Sequence, residues 1–134
     1  MSASVFVDTA FWIALHNPAD AHHGSALGVV QDLAGRPLYS SNLVLGEVWT
    51  VARNRTSHAG AIAAYELVQN SGAYFIHVGM AAEREAFEWL KTHPERKVSF
   101  VDATSFVLMR SMGIEDVATF DDDFAAAGFT VLTA

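Results

Sequence analysis

Three short pieces of the sequence put carboxylates where carboxylates are costly: Val5-Phe6-Val7-Asp8-Thr9, Ser99-Phe100-Val101-Asp102-Ala103 and Ala118-Thr119-Phe120-Asp121-Asp122-Asp123-Phe124. In each, an acid directly follows an apolar run short enough to be a buried strand or the entry to a buried helix. An ionised carboxylate at the edge of a core is unfavourable unless positive charge sits beside it. A further acid, Glu47, stands in Leu43-Val44-Leu45-Gly46-Glu47-Val48-Trp49 and is the only charged residue between Arg36 and Arg53. The chemistry that suits these acids together is the holding of hard divalent cations, which prefer oxygen ligands.

Each acid also has a plainer reading. Asp8 would serve as a helix N-cap, a role worth roughly 1 kcal/mol. Asp102 and the run Asp121–Asp123 would meet the positive end of a helix dipole. Glu47 would lie on a solvated face. Packed together, however, the four carboxylates repel and raise one another's pKa unless cations neutralise them. An EF-hand built on Asp121–Asp123 is ruled out, because the glycine and the distal glutamate are missing at the required spacing.

The elements that must carry these acids alternate along the chain. Ser4–Val7 reads as a strand, with Thr9 capping a helix over Ala10–His16 that Asn17-Pro18 stops. Asp20 is placed to cap a helix over about Ala21–Ala34, with Leu27, Val30 and Ala34 on one face. Pro37–Ser41 is the second strand, and Asn42 caps a helix from Leu43 to Asn54. Ser57–Asn70 is a helix closed by Ser71-Gly72, Ala73–Val78 a strand and Ala81–His93 a helix ended by Pro94. After the polar loop Pro94–Lys97 come a helix over Phe100–Met112, a strand over Asp116–Phe120, a short helix over Asp122–Ala127 and a last strand over Phe129–Leu132.

Strands alternating with helices imply crossover connections. The expected fold is therefore α/β, a three-layer α/β/α domain around a mainly parallel sheet of about five strands. In such sheets ligands bind beyond the carboxyl ends of the strands, where strand order reverses. Asp8 and Asp121 fall at strand carboxyl ends.

The bulk properties narrow the function. With 134 residues, 51% hydrophobic and 17% charged, the chain fits one domain over 1–134 that buries roughly two-thirds of its unfolded surface. Mean hydropathy is +0.23, high enough to reserve some apolar surface for a partner. There is no cysteine, which excludes disulfides, thiolate metal sites and cysteine nucleophiles and suits a reducing cytoplasm. No apolar run approaches the ~20 residues of a membrane span, and no signal peptide is expected. A net charge of −7 argues against non-specific electrostatic binding of duplexes. It is compatible with a nuclease in which metal ions supply the positive charge at the phosphate.

Other residues carry less. His22 and His23 are adjacent, so on a helix they diverge by about 100° and form no zinc pair. They and the scattered His16, His58, His77 and His93 are expected to be surface or core residues, and Trp12, Trp49 and Trp89 core or interface residues. No phosphate-binding glycine loop is present.

Taken together, Val7-Asp8-Thr9, Gly46-Glu47-Val48, Phe100-Val101-Asp102-Ala103 and Thr119-Phe120-Asp121 followed by Asp123-Phe124 give the chain a resemblance to the PIN-domain nucleases. The likeness is strongest to the VapC-like toxins of bacterial toxin–antitoxin pairs, and it covers essentially the whole chain. The resemblance implies that Asp8, Glu47, Asp102 and Asp121 are the catalytic and metal-binding acidic quartet, and that Asp123 is a fifth metal ligand. It implies that Thr9 and Thr119 are supporting hydroxyls, that Mg²⁺ or Mn²⁺ is the cofactor and that the activity is endoribonucleolytic. It further implies a homodimer and a cognate antitoxin protein that covers the cleft. Arg53 and Arg55, which also suit the carboxyl end of the Glu47 helix, are then candidates for guiding an RNA phosphate. The competing readings are an RNA-processing or decay nuclease without an antitoxin, and a non-catalytic module whose acids bind a structural ion.

Overall fold

A computed structural model describes residues 3–133. Residues 1, 2 and 134 of the expected domain lie outside the described residues. Five strands, β1 (Val5–Val7), β2 (Leu38–Ser41), β3 (Tyr74–Ile76), β4 (Asp116–Ala118) and β5 (Thr130–Val131), form one sheet in the order β3-β2-β1-β4-β5. Every pairing is parallel, with Val5 opposite Leu38 on one side and Asp116 on the other. The strands are joined by α1 (Thr9–His16), α2 (His23–Leu33), α3 (Asn42–Arg55), α4 (His58–Gln69), α5 (Met80–Thr92), α6 (Phe100–Met112) and α7 (Asp122–Ala126).

The chain builds outward from β1 in one direction to β3, then returns to lay β4 on the other side of β1. Right-handed crossovers therefore put α1–α4 on one face of the sheet and α5–α7 on the other. The packing agrees: α1 meets α2, α3 and α4, while α6 meets α5 and α7. The central strand is wholly interior, with Val5, Phe6 and Val7 all at or below 1% exposure. Phe106 and Phe124 meet edge to face on the α6–α7 side, ring centroids 4.9 Å apart.

The alternation read from the sequence places each element to within a few residues. Four local expectations are corrected, the first being that Asp20 caps α2: the N-cap position there is His22, and Asp20 accepts from the His22 amide before the helix starts. In α2 the interior face is Ala26, Val29 and Leu33, while Leu27 and Val30 face outward. Helix α3 is capped by Ser41, whose Oγ accepts from the Val44 amide at 3.1 Å. Asn42 instead accepts from the Val78 amide at 2.7 Å and ties α3 to the chain after β3. Thr9 is the first residue of α1, and the N-cap position falls to Asp8. Among the described residues no helix is long and apolar enough to cross a membrane.

Candidate functional site

Strand order reverses at β1, between β2 and β4, so the crevice at the carboxyl ends of β1 and β4 is the switch point of the sheet. Four carboxylates meet there. Asp8 follows β1, Glu47 reaches in from the middle of α3, Asp102 from the first turn of α6 and Asp121 from the turn between β4 and α7. They line one cleft of about 440 Å³ together with Thr9, Asp20, His22, Arg55, Ser99 and Phe120.

Asp8 occupies the N-cap of α1, but its side chain makes no capping hydrogen bond. Its Oδ2 accepts from Thr119 Oγ1 at 2.8 Å, while its buried Oδ1 has no partner. Asp102 is spared capping duty by Ser99, whose Oγ accepts from the Asp102 amide at 3.0 Å. Asp121 does cap α7, through Oδ1 and the Asp123 amide at 2.8 Å. Glu47 is half-buried rather than solvated. Thr119 joins the two strand ends, since its Oγ1 also accepts from the Asp121 amide at 3.0 Å. Asp123 lies beside the quartet: oxygens of Asp102, Asp121 and Asp123 are all within 4.8 Å of one another. Asp122, between two members of that trio, is exposed.

The electrostatics follow from the crowding. Asp8 is 3% exposed and Asp102 7%. Burial foremost, with the charges of Glu47 and Asp121 adding and the Thr119 bond opposing, pushes the Asp8 carboxyl up to about 7. Burial foremost, then the neighbouring Asp8, raises the Asp102 carboxyl to about 9. The two carboxyls share one environment, so the upward shift belongs to the pair. A bound cation would reverse it. The donor set fits one: all oxygen, anionic, and including two buried oxygens without hydrogen-bond partners, Asp8 Oδ1 and Thr9 Oγ1.

Of the basic candidates, Arg55 lines the cleft and lies 3.7 Å from Asp20, whereas Arg53 is exposed outside the lining. A cation without any signal in the sequence is Arg96, in the loop before α6, whose Nε donates to Asp123 Oδ1 at 2.7 Å. His22 is likewise a rim residue of the cleft, brought there by the turn that Asp20 makes in accepting from the His22 amide at 2.8 Å. Its neighbour His23 is structural, its Nδ1 bonded to the Ala14 carbonyl at 2.7 Å. Periodicity cannot separate this adjacent pair, because the difference lies in what each ring meets across the fold.

Comparison with known proteins agrees with this geometry. The family profile described as "PIN domain" matches residues 5–130. The chain is 46% identical over 127 residues to the 23S rRNA-specific endonuclease VapC20 of Mycobacterium tuberculosis, covering 93% of this chain and 95% of that protein. The crystal structure of M. tuberculosis VapC20, described as a sarcin–ricin loop cleaving toxin, superposes with a TM-score of 0.90. That superposition has 43% identity and covers 97% of this chain and 99% of the other. M. tuberculosis VapBC-5 shares the fold at 21% identity and a TM-score of 0.65, over 98% of this chain and 99% of the other. The chain belongs to the PIN-domain family.

Proposed function

We propose that this chain is a divalent-metal-dependent endoribonuclease, a single nuclease domain over residues 1–134, and the toxin of a toxin–antitoxin pair. The observation that carries the reading is the convergence of Asp8, Glu47, Asp102 and Asp121 in one cleft at the switch point of the sheet. The substrate class proposed is a structured loop of ribosomal RNA, on the strength of the likeness to VapC20, named as specific for 23S rRNA. Likeness to VapBC proteins supports a cognate antitoxin as partner. A homodimer acting in the cytoplasm completes the proposal.

Mg²⁺ or Mn²⁺ would be held by Asp8, Asp102, Asp121 and Asp123, with Glu47 alongside. When bound, such an ion lowers the pKa of a water and offsets charge developing at the scissile phosphate. The chain's own residues prepare the site. Thr119 pins one oxygen of Asp8 and leaves the other free. The Asp123 amide fixes the rotamer of Asp121. Glu47, half-buried, reaches the same cleft from the middle of α3 and adds a fourth carboxylate to it. Arg55 at the rim meets the RNA backbone and orients the phosphate over the acids.

Metal-titrated cleavage of ribosomal RNA by the purified chain tests the proposal. Asp8→Asn and Asp102→Asn should each lower the rate by at least about 100-fold, the scale of losing one preorganised electrostatic contact. Both should keep the folded circular dichroism spectrum, and cells should tolerate them where the parent chain arrests growth. Cleavage retained by either variant, with contaminating nuclease excluded, overturns the assignment.

A further inference from the structure

The wall of the cleft nearest Asp121 is aromatic. Phe120, the residue before Asp121, stacks on the buried Phe11 at 5.9 Å between centroids with planes 18° apart. His22 stacks in turn on Phe120, with centroids 4.4 Å apart and planes within 9° of parallel. The result is a column of three rings running from the core to the cleft mouth. His22 is its exposed end, and among the described residues no further ring covers it. Both His22 and Phe120 line the acidic cleft. The ring has no place in the oxygen cluster, which is all aspartate among the described residues.

A solvent-facing flat ring beside a phosphate-cleaving centre has an evident use. Sequence-tolerant recognition of unpaired RNA relies on bases stacking on aromatic side chains, histidine included. The column is held at both ends: Phe11 is 1% exposed, and the His22 amide is fixed by Asp20, which itself lies 3.7 Å from Arg55. Platform and cation are thereby linked across the rim, one for a base and the other for its phosphate.

We infer that His22, backed by Phe120, is the stacking platform for an unpaired nucleobase of the RNA next to the scissile phosphate. The inference rests on the ribonuclease reading above. It gives the enzyme a contact that demands an unstacked base, which a loop supplies and a continuous duplex does not. His22 is thus a substrate-selecting residue that leaves the metal-binding acids untouched.

The test uses the full chain and a hairpin RNA with the sarcin–ricin loop sequence, with 2-aminopurine placed singly at successive loop positions. Binding is read with the cleavage-silent Asp102→Asn chain, and KM and kcat with the otherwise unaltered chain. Quenching of 2-aminopurine is expected at one loop position. His22→Ala should abolish that quenching and weaken binding by about 10-fold, the scale of one base–aromatic stack. His22→Leu keeps bulk over Phe120 but offers no π face, and should behave like the alanine variant with an unchanged melting temperature. His22→Phe should restore both signals. Unchanged quenching and KM in His22→Leu overturn the inference even though the hairpin is bound and cleaved. A parent chain that neither binds nor cleaves the hairpin or total ribosomal RNA removes the ribonuclease reading, and the platform falls with it.

Discussion

Asp121, Asp122 and Asp123 are adjacent and alike in charge, yet the fold gives them three different surroundings. Asp121 caps α7 with one oxygen and joins the cluster with Asp102. Asp123 shares that cluster while held by Arg96. Asp122 points to solvent, as the rotation of about 100° between neighbouring helical residues requires. Three single alanine variants, each followed by metal titration of the cleavage rate, should therefore separate. Asp121→Ala should remove activity and Asp122→Ala should change it less than about 2-fold, as for a surface substitution away from the site. Asp123→Ala should raise the metal concentration needed for half-maximal rate. If Asp122→Ala were the most damaging, the boundary between β4 and α7 would have to shift by a residue. The family resemblance separated these three acids; composition and charge alone did not. Arg96 was not legible in the sequence, because its role depends on a loop meeting a helix 27 residues further along.

At the scale of elements, Glu47 is only as well placed as the helix that carries it. That helix starts at a buried Ser41, which ends β2 and caps α3 in one residue. Ser41→Ala removes the cap and should lower stability by about 1 kcal/mol, measured by urea unfolding. Cleavage at 25 °C should stay within a few-fold of the parent. A collapse of activity without loss of stability would mean that Ser41 acts in the site rather than through the helix. The alternation of strand and helix is readable because the strands are short segments with an apolar part, from Val5–Val7 in full to Val117–Ala118 within β4, set off by Gly, Pro or a capping residue. Phe100–Met112 was placed to the residue, since Ser99 caps its start and Gly113, at φ +68°, ends it. The inward face of α2 is not legible because its apolar residues, Ala26, Leu27, Val29, Val30 and Leu33, spread over about 160° of the helix, a wider arc than the fold buries. His22 reads in sequence only as a surface or core histidine, because an adjacent histidine pair shows no period and only the fold reveals which ring stacks on Phe120.

For the whole molecule, the crowded carboxylates are a source of instability at neutral and alkaline pH. Asp8 and Asp102 have folded pKa values raised above their usual 3.8, to about 7 and about 9. Below pH 3.8 both carboxyls are protonated whether the chain is folded or not, and they contribute nothing to the pH dependence. As pH rises, the unfolded chain gives up these protons first while the folded chain retains them, so stability falls across the window from about 4 to about 9. Above that window the folded chain carries both charges, facing Glu47 and Asp121, and the loss is complete. The metal-free Asp102→Asn chain lacks the larger of the two shifts. Its melting temperature should therefore gain on that of the parent as pH rises from 5 to 8.5, by at least about 4 °C, the scale of one kcal/mol in a domain of this size. Saturating Mg²⁺ or Mn²⁺ at pH 8.5 should stabilise the parent and shrink or reverse the gap, because the ion neutralises the charges that the substitution otherwise removes. A gap that stays constant from pH 5 to 8.5, or one the ions leave unchanged, would mean that the four carboxylates do not share one electrostatic site.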